Sequence, residues 1–251
     1  MRRGVKRDEG ETMSLIVTVK VPEGIVMAAD SRVSMHVHPK GEASPNPMSG
    51  GISHFSDTYT KVFLAPNGAG ISFCGEMAIE DGSVSHFLEL FVKEKISELT
   101  PVSAMPSLLS GYIRTLSKVP ATIFHICGFD GDGDPAGFRF WRVVPKQEII
   151  EDRSAKQLVW DGEGDILARL FSPVSTRTPR GDMIQLPDFP LGVNVFTLQD
   201  AVNFADFAVR TTVGTMRFQL RPKTVGGEID LLVLRRSGAE WVRRKTLREP
   251  Q

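Results

Sequence analysis

The chain has 251 residues, 41% of them hydrophobic, with 30 Lys and Arg set against 30 Asp and Glu. That length and apolar content support a substantial core and exclude wholesale disorder, and the balanced charge provides no field for a nucleic-acid or membrane-surface partner. No apolar run reaches the roughly 18 to 20 residues that span a bilayer, and the basic start MRRGVKR is followed by no apolar segment and is no secretory signal, so the expected location is the cytoplasm.

The polar residues 1–13 read as a leader, disordered or not present in the mature chain. A single domain is expected over 14–244, with a tail over 245–251. SLIVTVKV (14–21) and IVMAAD (25–30) read as two strands joined through PEG, a hairpin by ordinary turn chemistry. Residues 35–58 are rich in Pro, Gly and Ser and read as one long loop. KVFLAP and GAGISFCG form a second hairpin across PNG. Helical spacing follows from Ile79 through Val84, Leu88 and Phe91 to Ile96, and again from Met105 through Leu109 and Ile113 to Leu116.

Strands return with ATIFHICGFD, AGFRFWRVV and KQLVWDG. A short helix is expected over DILARLFS, then an irregular stretch over 173–193. Thr197 is the expected N-cap of a fourth helix, with Asp200 in its first turn and Ala201, Phe204, Ala205, Ala208 and Val209 on one face. EIDLLVL and EWVRR close the chain as a hairpin around Ser237-Gly238. Locally paired strands imply antiparallel sheets, and helices arriving in pairs imply that each pair covers one outer sheet face. The expected fold is therefore α+β, a four-layer αββα sandwich of two antiparallel sheets flanked by helix pairs.

Several candidate signals lead to ordinary structure. Cys74 and Cys127 sit in apolar strands and read as buried free thiols. DGDGDPAG (130–137) has Pro135 where a calcium loop needs Gly and Trp141 where it needs a bidentate Glu, so it reads as a hairpin turn. His36, His38 and His54 have no Cys or carboxylate cluster at ligand spacing and read as loop histidines. No metal and no cofactor are expected.

The order of elements and four local motifs resemble the proteasome β-subunit and HslV-type peptidases, members of the N-terminal-nucleophile hydrolases. The motifs are EGIVMAADSR, YTKVFLAPNGAGISFCGE, WDGEGD, and TLQDAVNFADFAVRTT followed by VGGEIDLLVL; together the resemblance spans Ser14 to Arg236. It implies a hydrolase that cleaves peptide or amide bonds by acyl transfer. Carried over by position, it makes Ser14 the nucleophile, Asp30 the partner of a charged Lys61, and the amide of Gly75 the oxyanion donor. It also implies a polypeptide substrate, a homo-oligomeric ring and scope for an unfoldase partner. An inactive structural subunit of the same fold and a small-molecule amidase remain alternatives.

These residue types suit that chemistry. A serine hydroxyl is a poor nucleophile until a base takes its proton, and a free α-amine titrating near pH 8 can serve. A lysine held cationic by an aspartate would lower the pKa of amine and hydroxyl through its charge, and an amide would stabilise the tetrahedral oxyanion. Ser14 would need a free amine, which translation from Met13 and removal of that Met would provide; Thr12 is the competing nucleophile. The resemblance breaks at three places. Glu163 replaces a serine between two glycines, and Pro222 and Val225 stand where an Asp and a Ser normally precede the last Gly-Gly.

Overall fold

The computed structural model describes residues 14–37, 51–79, 82–130 and 137–246. The chain opens with strands β1 (Leu15–Val21), β2 (Gly24–Ala29), β3 (Val33–Val37), β4 (Gly51–Ser56), β5 (Val62–Leu64) and β6 (Gly70–Gly75), then the two-residue strands β7 (Ala78–Ile79) and β8 (Gly82–Ser83). Helices α1 (Val84–Lys95) and α2 (Met105–Ile113) follow. Strands β9 (Thr122–Phe129), β10 (Phe138–Val144), β11 (Ile149–Asp152) and β12 (Leu158–Gly162) lead into helix α3 (Asp165–Phe171). After β13 (Ser175–Arg177) and β14 (Met183–Gln185) comes the long helix α4 (Leu198–Phe218), and β15 (Asp230–Arg235) and β16 (Gly238–Arg243) end the described fold.

Ten strands form two five-stranded antiparallel sheets. The first has the order β12-β1-β2-β15-β16 and the second β11-β10-β9-β6-β5. Their central strands are apolar on both faces because both faces are covered. In β1 and β2 the two-residue period sends Leu15, Val17, Val19, Val26 and Ala28 into a core shared with α3 and α4. The alternate residues Ile16, Ile25, Met27 and Ala29 meet Cys74, Cys127 and Phe140 of the second sheet. On the other side of that sheet, Ile71, Phe73, Phe124 and Ile126 pack against Leu88, Phe91, Met105 and Leu109 of α1 and α2. Phe73 and Phe124 are fully buried with ring centroids 5.8 Å apart, and burying such a side chain stabilises by roughly 1.5–3 kcal/mol. Three apolar layers with helices on the outside are compatible with a sandwich.

Helix α4 lies on β1 and β2 through a face of small residues, Ala201, Ala205 and Ala208, which allows close approach. Its start is fixed by a capping box, in which the Thr197 hydroxyl accepts from the Asp200 amide and the Asp200 carboxylate accepts from the Thr197 amide. Between the sheets, one buried polar group is linked across the layer. The Thr18 hydroxyl contacts His125 Nδ1 at 2.9 Å, His125 Nε2 contacts Asp161 at 2.9 Å, and Arg142 Nε reaches the same carboxylate.

Four local expectations need correction. Residues 35–58 are not a loop throughout: β3 and β4 pair antiparallel at its two ends, carrying the chain out and back as a ribbon. Ile79 belongs to β7, and α1 begins only at Val84, where Ser83 caps it by accepting from the His86 amide. The stretch 173–193 contains the β13–β14 hairpin. Strand β11, missed because IIED is short and half exposed, completes the second sheet. The leader with Thr12, the last tail residues and the turn at 131–136 lie outside the described residues, as do the side chains of His36, His38 and His54.

Candidate active site

Strand β2 does not carry its charges to solvent. It ends in Ala28-Ala29 and delivers Asp30 to the interior, where the side chain is completely buried. The antiparallel register of β1 and β2, with Ile16 opposite Ala29, brings the beginning of β1 beside the end of β2. Ser14 and Asp30 therefore meet because the hairpin closes there. Lys61 arrives from the other sheet, one residue before β5, and its carbonyl accepts from Phe73 of β6 at 3.1 Å.

Ser14, Asp30 and Lys61 form one connected group, and none of the three has any solvent exposure. Lys61 Nζ donates to Ser14 Oγ at 2.7 Å, to Asp30 Oδ1 at 2.8 Å and to the Arg32 carbonyl at 2.6 Å. Three acceptors around one nitrogen match the three protons of an ammonium. Burial pushes Lys61 below the ordinary lysine range, while the Asp30 carboxylate pulls it back up. Asp30 is itself saturated: beyond Lys61, it accepts the backbone amides of Leu15, Arg32 and Gly226, each at 3.0 Å. This is how two buried charges avoid the cost of isolation.

Gly75 ends β6 in a left-handed conformation, φ +115°, and a Cβ there would lie 2.3 Å from the Ala121 carbonyl oxygen. The backbone alone requires glycine at this position. Cys74, its neighbour, faces the sheet interface, and burial raises its thiol well above the ordinary value.

The Gly162-Glu163-Gly164 turn seats the carbonyl of Ser14. Glu163 takes no part through its side chain at that atom; its amide donates to the Ser14 oxygen at 2.8 Å. The Glu163 carboxylate turns instead to Thr224 Oγ1, 2.8 Å, and Arg221, 2.5 Å, and burial raises its pKa against both partners.

No protein-family model matches this chain, and no curated protein sequence does.

Pro222 is exposed and Val225 is buried in the core between α4 and the first sheet, so neither brings a polar group to Ser14. The residues between and beside them act one contact further out: Thr224 braces Glu163, and Gly226 binds Asp30. Sequence reasoning missed both, although Thr224, a hydroxyl two residues before Gly226-Gly227, was a usable signal. Arg32 braces the surroundings, with a two-pronged ion pair to Asp57 at 2.7 Å and a 3.1 Å hydrogen bond to the Lys223 carbonyl. Among the described residues, no group of three or more His, Cys, Asp or Glu side chains is arranged to hold a metal ion, and no helix is long and apolar enough to cross a membrane.

Proposed function

We propose that this chain is a proteasome-like hydrolase that cleaves peptide bonds by acyl transfer, with Ser14 as an N-terminal nucleophile. The observation that carries the reading is the buried lysine between hydroxyl and carboxylate, 2.7 Å from Ser14 Oγ and 2.8 Å from Asp30. In this reading Ser14 is the first residue of the mature chain. Its α-amine takes the hydroxyl proton as Oγ attacks the substrate carbonyl carbon. Lys61 favours the alkoxide by charge, and the Gly75 amide receives the developing oxyanion. The C–N bond then breaks as the ammonium returns its proton to the leaving amine. Water, deprotonated by the same amine, hydrolyses the ester and regenerates the hydroxyl.

The resemblance extends the proposal to a cytoplasmic, ring-forming homo-oligomer that takes extended polypeptides, with scope for an unfoldase partner. Mass spectrometry of the native protein tests it first, since a mature chain beginning at Ser14 is required. Turnover of fluorogenic peptides should then vanish in Ser14→Ala while the circular dichroism spectrum is kept.

A noncatalytic subunit is the second reading. It is favoured by the complete burial of Ser14, Asp30 and Lys61 and by the three backbone amides that already satisfy Asp30. It requires a native protein that retains residues N-terminal to Ser14 and hydrolyses no peptide.

A further inference from the structure

A cavity of about 770 Å³ lies against the same segments that hold Asp30. Five cations line it, Arg32, Arg210, Arg217, Lys223 and Arg243, against the single carboxylate of Glu228. Internal pairing consumes only part of that charge. Asp206 is shared between Arg210 and Arg243, and Asp57 takes Arg32. Lys223 Nζ donates to the carbonyls of Met216 and Gln219 at the end of α4. Arg217 has no carboxylate partner among the described residues; its guanidinium stands 5.7 Å from the Phe218 ring. The remaining wall is apolar, built from Val213, Val225 and Ile229.

We propose that this cavity binds a small oxyanion carried on a short apolar body. Its volume falls within the roughly 300–1,000 Å³ of small-molecule sites. Guanidinium groups are weakly hydrated and present forked donors that match carboxylate and phosphate oxygens, while the valine and isoleucine wall rewards a hydrocarbon portion. The chain's balanced charge argues for a small anion rather than a nucleic-acid backbone.

The site also has a route to Ser14. Arg32 lines the cavity, and its amide binds Asp30 while its carbonyl binds Lys61. Gly226 donates to Asp30 from between two cavity-lining residues, Val225 and Gly227, and the Glu228 carbonyl accepts from the Ser31 hydroxyl. An occupant that orders Arg32 and 223–228 therefore orders the groups that hold the buried charges.

The test uses the full chain and reads binding without turnover, so its outcome is independent of hydrolysis at Ser14. Inorganic phosphate, phenyl phosphate and hexanoate are titrated calorimetrically at low ionic strength. At least one organic anion should bind saturably at one site and more tightly than inorganic phosphate, and the stronger of the two identifies phosphate or carboxylate as the preferred head. In Arg217→Glu that affinity should fall at least about tenfold, the loss of a charge-assisted contact, with an unchanged urea midpoint. Hydrogen exchange over 30–32 and 224–228 should slow on binding. Absence of saturable binding by either organic anion, or wild-type affinity in Arg217→Glu, overturns the site; unchanged exchange in the saturated protein overturns the link to Ser14.

Discussion

The carbonyl oxygen of Ser14 accepts the backbone amide of Glu163 at 2.8 Å, and Gly162 makes that contact possible. With φ at +97°, a Cβ on Gly162 would lie 2.0 Å from the same oxygen. Gly162→Ala should therefore destabilise by more than the about 1–2 kcal/mol of a left-handed alanine alone, because Ser14 must also move. Urea denaturation measures the first effect. The proposed peptide hydrolysis measures the second and should fall more steeply than the stability loss explains.

Removing one partner of the buried pair separates structure from chemistry. Lys61→Met leaves Asp30 without its cation and should cost about 3–5 kcal/mol. In Asp30→Asn/Lys61→Met no buried charge is left, so part of that stability should return, while hydrolysis should remain absent. Recovery of turnover in the double variant would remove Lys61 from the proposed mechanism.

Acid sensitivity should trace to Asp161. Burial works to raise its pKa, but His125 and Arg142 outweigh burial and hold the carboxyl below the ordinary value of 3.8. A carboxyl with a depressed folded pKa binds fewer protons folded than unfolded, so its contribution is complete above the ordinary range and is lost as pH falls through the folded value. Wild-type stability should decline below about pH 4, and that limb should flatten in Asp161→Asn when chemical denaturation is followed against pH.

Thr197→Ala supplies the control. Loss of its capping hydroxyl should cost about 1 kcal/mol, read as a lower melting temperature. The cap touches neither Ser14 nor its partners, so activity per folded molecule should not change.

Legibility in the sequence followed the range of the interaction. The β1–β2 and β15–β16 hairpins and the α4 cap were readable because their determinants lie within a few residues: alternating apolar runs, PEG, Ser237-Gly238, and Thr197 with Asp200. Asp30 and Lys61 were singled out through resemblance and as charges abutting apolar strands, and the fold brings them together. The contacts that complete the group were not readable. Leu15, Arg32 and Gly226 bind Asp30 through backbone amides, which no side-chain pattern reveals. Thr224 and Glu163 pair across 61 residues. The ribbon of β3 and β4 was hidden because the Gly, Pro and Ser between its arms outweighed two short runs at its ends.

The His125 bridge has a mechanical consequence. Thr18 and Asp161 belong to one sheet, and His125 and Arg142 to the other, so their hydrogen bonds run across a layer whose remaining contacts are largely greasy and free of direction. Oily faces resist separation but oppose sliding only weakly. Ser14 and Asp30 ride on the first sheet and Lys61 on the second, so a slip of an ångström would pull the ammonium off its acceptors. The imidazole acts as a dowel, converting two slabs that could shear into a jig that holds a serine and a lysine in alignment.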